Sequence, residues 1–118
     1  MSAQVWRALA EITGTLSDAP CLAEALQRVT DVALMVVGCD HASVRLCAPD
    51  GSLEVGARSG VGSELPAPSF GKGQGLLGWV AETGLVARVG DSMRESRFLD
   101  RRERGFAVGS VLSVPVSN

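Results

Sequence analysis

The sequence lacks the features that mark several common protein classes. It has no basic excess: 11 Lys and Arg face 13 Asp and Glu, a net charge of −2. Nucleic-acid binders concentrate positive charge on one face, so nucleic acid is not an expected partner. No apolar run approaches the roughly 18 residues of a membrane span. The start, Met1-Ser2-Ala3-Gln4-Val5-Trp6-Arg7, has neither the basic nor the apolar region of a signal peptide, so a cytoplasmic location is expected. Histidine occurs once, as His41, and lies far from any plausible nucleophile elbow, which leaves no Ser-His-Asp or Cys-His set to assemble. The three cysteines, Cys21, Cys39 and Cys47, match no zinc or redox spacing and are expected as free thiols packed like small hydrophobes. Cys39-Asp40-His41 stands where a helix gives way to a strand, so its side chains diverge and no metal is expected. Aromatics are scarce: Trp6, Phe70, Trp79, Phe98 and Phe106. Lysine occurs once, at Lys72, against ten arginines.

What is present is the composition of one soluble domain, residues 1–118, with 46% hydrophobic and 20% charged residues. Val5, Leu9, Ile12 and Leu16 form a helical stripe close to a heptad seam. Ser17 or Asp18 is placed to cap a second helix, with Pro20 in its first turn. There Leu22, Leu26, Val29, Ala33 and Val36 repeat the spacing. Its last turns, Val32 to Val37, are apolar all round, which predicts burial on several sides before Gly38 ends the helix.

Asp50-Gly51 predicts a hairpin. Ala42, Val44, Leu46 and Ala48 alternate with Ser43, Arg45 and Cys47 on the way in. Leu53, Val55 and Ala57 alternate with Glu54, Gly56 and Arg58 on the return. One face is expected on a core, the other toward solvent or a ligand. A loop holding Pro66 and Pro68 leads to Leu76–Thr83, a short helix closed by Gly84. Leu85–Val89 reads as a short strand. Asp91 or Ser92 opens a charged stretch, Arg94–Arg104, expected as a surface helix with local ion pairs. Ser110–Val116 reads as a last strand, with Pro115 near its end.

Gly73-Gln74-Gly75-Leu76-Leu77-Gly78 matches G-x-G-x-x-G by letter. It lacks the strand before it and the long helix after it that a dinucleotide site needs. Its plainer reading is a loop-to-helix corner where Gly75 and Gly78 permit close packing. Gly71-Lys72-Gly73 is no P-loop, since no Ser or Thr follows the lysine where one is required.

Three stretches, in this order and spacing, carry a family resemblance. The first is Leu22-Ala23-Glu24-Ala25-Leu26 leading to Gly38-Cys39-Asp40-His41-Ala42-Ser43-Val44. The second runs from Gly73 to Gly84. The third is Gly109-Ser110-Val111-Leu112-Ser113-Val114-Pro115-Val116. Together they resemble the GAF domain family of small-molecule sensor modules. The resemblance implies an α+β fold of GAF/PAS type, a central antiparallel sheet flanked by helices. It also implies a further turn, strand and helix beyond the Val-Pro strand, so the domain is expected to be incomplete there, with an open sheet edge.

The resemblance further implies a ligand between the sheet and a loop-helix layer. Position by position it points to Arg45 and Cys47 on the first strand, and to Phe70, Leu76, Trp79 and Val80 at the corner. Asp91, Phe98, Ser110 and Leu112 are expected to close the pocket. Related sensor domains dimerise through terminal helices, which makes Val5, Trp6, Leu9, Ile12 and Leu16 the expected interface. The implied function is a regulatory sensor of a bacterial signalling protein, fused to an effector such as a histidine kinase or a transcriptional activator. A ligand-free dimerisation module, its pocket filled by Phe70, Leu76 and Trp79, is the alternative. The family's enzyme branch, the free methionine sulfoxide reductases, keeps cysteines near the glycine-rich corner; all three here lie earlier, so no enzyme is expected. No cysteine follows Cys47 for a covalent bilin, and no motif gives His41 a haem-binding role. Cyclic-nucleotide binders carry an Asn-Lys-Phe-Asp-Glu signature; Phe98-Leu99-Asp100-Arg101-Arg102-Glu103 has no Asn-Lys before it. No cofactor is expected beyond a small-molecule ligand of unknown identity.

Overall fold

A computed structural model describes residues 21–99 and 106–116. The expected first helix, with Val5, Trp6, Leu9, Ile12 and Leu16, lies outside the described residues. In chain order the elements are α1 (Leu22–Val37), β1 (His41–Cys47), β2 (Leu53–Gly60), α2 (Gly75–Thr83), β3 (Ala87–Val89), a single 3-10 turn (Ser92–Arg94) and β4 (Val111–Ser113). Among the described residues the strands pair as β1-β2 and β3-β4, and with the two helices they make the mixed α+β fold expected. β3 and β4 are three residues each and run antiparallel, with Ala87 opposite Ser113 and Val89 opposite Val111. The chain divides into two compact units: Met1–Arg45 with Val55–Glu64, and Leu46–Glu54 with Leu65–Asn118.

In the first unit, α1 begins later than expected. Cys21 is its N-cap, extended at φ −154°, and its thiol makes no cap bond. Ser17, Asp18 and Pro20, expected at the start of this helix, lie outside the described residues. Gly38 closes the other end, its N–H donating to the Leu34 carbonyl at 3.0 Å. The side of α1 that meets β2 is not the apolar stripe. Gln27, Thr30, Asp31 and Leu34, spaced i, i+3, i+4, i+7, form that side. Thr30 is 1% exposed and its hydroxyl lies 2.7 Å from that of Ser59 on β2, also buried. Ser59 donates to Asp31. Gln27 donates to Ser59 at 2.8 Å and to the Arg58 carbonyl at 2.9 Å.

Ser59 has one proton to share between Asp31 and Thr30, and Thr30 has one to share between Ser59 and the Gln27 carbonyl at 3.0 Å, so the two hydroxyls and their acceptors form one network. Leu26, Val29, Ala33 and Val36 are half-buried, and Leu22, Met35 and Val37 are exposed. The burial on several sides expected of the last turns is corrected: none of Val32–Val37 is fully buried, and the side of α1 that bonds β2 is polar. Thr30→Val keeps the shape and removes a buried hydroxyl that contacts both Ser59 and the Gln27 carbonyl. It should cost about 1–2 kcal/mol, read as a lower urea midpoint at unchanged slope.

The hairpin forms where Asp50-Gly51 predicted it. The Asp50 carboxylate accepts from the Ser52 N–H at 2.9 Å and from the Ser52 hydroxyl at 2.6 Å. These bonds hold the Asp50 carboxyl below its usual range. The alternation is only partly realised. Leu53, Ala57 and Ser59 are buried, but Leu46 and Val55 are exposed. The thiols differ from expectation as well: Cys21 and Cys47 are exposed and only Cys39 is partly covered. His41 donates through Nδ1 to the Val61 carbonyl at 2.8 Å, which ties the start of β1 to the chain leaving β2.

The second unit is built on α2. Leu76, Val80, Ala87 and Val89 are its buried core, with Trp79 and Val111 packed against them. The strand expected over Leu85–Val89 is confined to Ala87–Val89, and Leu85 and Val86 are exposed. The strand expected over Ser110–Val116 is confined to Val111–Ser113. Pro115 has no N–H to continue the ladder. The surface helix expected over Arg94–Arg104 is absent from its described part; after the 3-10 turn, residues 95–99 are turn and irregular chain. Asp91 caps that turn by accepting from the Met93 N–H at 3.1 Å.

Candidate functional site

The corner that leads into α2 is made by backbone packing. The Gln74 side chain accepts from the Gly71 N–H at 2.7 Å and rounds off the loop. A Cβ on Gly78 would lie 2.5 Å from the Gly73 carbonyl carbon, so only glycine lets the helix close on its own approach loop. Phe70, just before this loop, is buried and pairs with Leu53 by an antiparallel bridge, Leu53 N–H to Phe70 carbonyl at 2.9 Å. Leu76 is 3% exposed and Val80 is buried beside it. Trp79 is half-buried, on the edge of this core.

Residues 95–99 lie over the helix at two points. The Leu99 side chain stands within 3.3 Å of where a Cβ on Gly75 would be, and so does Phe70. The Arg97 guanidinium stacks over the Trp79 ring at 4.2 Å. The same guanidinium donates to both oxygens of Glu95, from Nε to Oε2 at 2.7 Å and from Nη2 to Oε1 at 2.8 Å. The Arg97 backbone N–H adds a third bond to Oε2 at 3.0 Å. Their side chains are 31% and 18% exposed, with the carboxylate the more covered of the two.

The Arg97 side chain and backbone bonds lower the Glu95 carboxyl from 4.5 to about 2, and the Arg97 guanidinium is raised in turn by Glu95. A carboxyl held this low adds stability that is complete above its unfolded value of 4.5. That stability is lost as pH falls through about 2. A 13C titration of the Glu95 carboxyl should show a midpoint near 2. In Arg97→Gln the midpoint should return toward 4.5. A wild-type midpoint near 4.5 would mean that the pair does not persist in solution.

Of the residues expected at a ligand site, the structure brings Phe70, Leu76, Trp79 and Val80 together at the corner. Phe98 is half-buried in the loop over α2, its N–H donating to the Glu95 carbonyl at 3.1 Å. Arg45 is half-buried and belongs to the first unit. Cys47 is exposed, its thiol 3.7 Å from the Ala48 carbonyl. Asp91 is exposed and occupied as a cap, with Arg94 at 3.5 Å. Ser110 is exposed. Leu112 is 59% exposed and pairs with Arg88, on the opposite face of the β3-β4 ladder from Val89 and Val111. It does not join the corner.

Sequence reading missed Glu95 and Arg97, which it placed in a solvated charged stretch. The only local signal was an acid and a base two residues apart. No linear pattern announces the stacking on Trp79. Among the described residues no group of three or more His, Cys, Asp or Glu side chains converges as a metal site would. No described helix is long and apolar enough to cross a membrane.

Comparison with known proteins places this geometry. The chain is similar to the GAF domain of a phosphoenolpyruvate-protein phosphotransferase from Coxiella burnetii, with a TM-score of 0.85 at 23% identity over 97% of this chain and 70% of that one. It is similar to the free methionine-R-sulfoxide reductase of Neisseria meningitidis, solved with its substrate, at 0.66 and 16% over 84% of this chain and 60% of that one. A phycocyanobilin-bound GAF domain from a cyanobacterial phytochrome matches at 0.58 and 20%, over 79% of this chain and 54% of that one. The chain thus spans less than two thirds of the latter two. No curated protein matches it at a significant level. At these identities the solved structures share the fold. The family model of the GAF domain matches residues 22–118, and the chain belongs to the GAF domain family of small-molecule-binding regulatory modules.

Proposed function

We propose that this chain is the regulatory sensor module of a bacterial signalling protein, of the histidine-kinase or transcriptional-activator type, and works in the cytoplasm. It binds a small molecule at the α2 corner and signals through a dimer formed by its helices, with Val5, Trp6, Leu9, Ile12 and Leu16 as the interface. The observation that carries the reading is the corner itself. A half-buried Trp79 stands at the rim of an apolar core and is covered by a loop rather than by a regular element. Loops over small-molecule sites are drawn from the parts of a fold that open at low cost. Two relatives of this fold hold small molecules, one its substrate and one phycocyanobilin, which supports the same use here. Arg45, Cys47, Asp91, Ser110 and Leu112 are retained as proposed ligand contacts on the family resemblance alone, and no contact of theirs with the α2 corner carries the reading. The mechanism is a population shift in which ligand orders the loop and changes the helix packing.

One observation favours the ligand-free dimerisation module. Phe70 and Leu76 are turned inward and buried, so much of the corner is filled by the chain itself. Native mass spectrometry with an absorbance scan of the freshly purified protein separates the two. A dimer carrying an added small-molecule mass supports the sensor. A clean apo dimer supports the interaction module, and a monomer overturns the dimer in both. Trp79→Ala gives the second discrimination. Under the sensor reading it abolishes ligand retention. If Trp79 serves only as packing, the variant loses about 2 kcal/mol, below the figure for a fully buried tryptophan, and nothing else changes.

A further inference from the structure

We propose that Arg97 is the receptor for an oxyanion carried by the ligand, a carboxylate or a phosphate, and that the Glu95 side chain holds its place until the ligand displaces it. This rests on the sensor reading above and names the ligand chemistry of that site.

The guanidinium is presented as a fixed platform. Trp79 backs one face of its plane at 4.2 Å and leaves the donor edge for an acceptor. That edge is filled by two parallel charge-assisted bonds, 2.7 and 2.8 Å, to a single carboxylate. A free carboxylate or a phosphate makes the same fork with arginine. Glu95 therefore stands where an external oxyanion would stand. The position fits a ligand site, because Leu99 of the same loop closes on Gly75 at the first turn of α2. An ordinary exposed ion pair has neither an aromatic backing nor a carboxylate this well covered.

Glu95 is two residues from Arg97, so it competes as an intramolecular ligand at an effective concentration of millimolar or above. Simple anions do not displace it under those terms. A ligand that also buries a second group at the Phe70–Leu76–Trp79 corner does, and that requirement supplies selectivity. Displacement has a structural consequence. Glu95 also accepts the Arg97 backbone N–H, so its release loosens the turn that lays residues 95–99 over the helix.

The test uses inorganic phosphate and acetate, titrated separately at constant ionic strength into wild type and Glu95→Gln, with the Arg97 Nε–H signal followed by 15N NMR. Removing the competing charge should tighten at least one anion by about tenfold, the scale of one charge-assisted hydrogen bond. Adding Arg97→Gln to that variant should abolish the response. A stronger effect of phosphate assigns a phosphorylated ligand; a stronger effect of acetate assigns a carboxylate. If Glu95→Gln folds poorly, Glu95→Ala serves the same comparison. An Arg97 signal no more responsive in the variant than in wild type overturns the anion receptor. Should native mass spectrometry still find a bound small molecule, the sensor reading survives that failure. A clean apo dimer overturns the sensor reading itself.

Discussion

Leu76→Ala is expected to destabilise the protein by about 3 kcal/mol, within the 2–5 kcal/mol range for truncating a buried leucine. Leu76 is 3% exposed and belongs to the core that joins α2 to β3. The neighbours that would have to collapse into the space cannot do so easily. Gly78 is already against the Gly73 backbone, which fixes the helix on its approach loop, and β3 is held in register by β4. A cavity that closes only in part adds its own term to the lost transfer free energy. Urea denaturation should show the midpoint falling with the slope unchanged. A loss under 1 kcal/mol would mean that the corner repacks, and would favour a site whose walls move with its ligand.

That corner was legible before its environment was. The run from Gly73 to Gly84 gave a short helix after a tight loop because its signals are local: glycines at fixed offsets, an apolar run between them and a terminating Gly84. The hairpin was legible for the same reason, since Asp50 bonds its own turn through Ser52. α1 was legible as a helix but not in its orientation. Its apolar stripe, Leu22 to Val36, reads as the buried face, yet Gln27, Thr30 and Asp31 meet β2. The partner of that polar side is Ser59, more than twenty residues away. No periodicity within the helix can register a hydroxyl on a distant strand. Glu95 and Arg97 were hidden in the same way. A charged stretch reads as a solvated helix, and only the position of Trp79 in space turns it into a stacked, bidentate pair. The ordinary short strands β3 and β4 were placed roughly. Their ends were not, because three-residue ladders are bounded by pairing and not by composition.

Gly60→Ala should cost about as much as Leu76→Ala, by a different route. Gly60 ends β2 at φ +94°, a conformation that L side chains rarely adopt. A left-handed backbone alone costs about 1–2 kcal/mol for a residue with a Cβ. The added carbon would also overlap the Asp40 backbone carbonyl and crowd the Leu34 side chain at 3.1 Å. The Leu34 methyl can turn aside, but the carbonyl cannot. Asp40 immediately precedes β1, and its carbonyl accepts the Val61 N–H at 2.8 Å. Relieving the clash therefore means breaking the bond that ties the two ends of the hairpin. Overpacking of this kind adds roughly 1–3 kcal/mol, for a total of about 3 kcal/mol. The strain falls one residue from Ser59, so the Thr30–Ser59–Asp31 network should register it. Hydrogen exchange at the amides of β2 should accelerate together with those of α1 in Gly60→Ala, and should stay unchanged at α2. If α2 exchanges faster as well, the damage is not confined to the first unit.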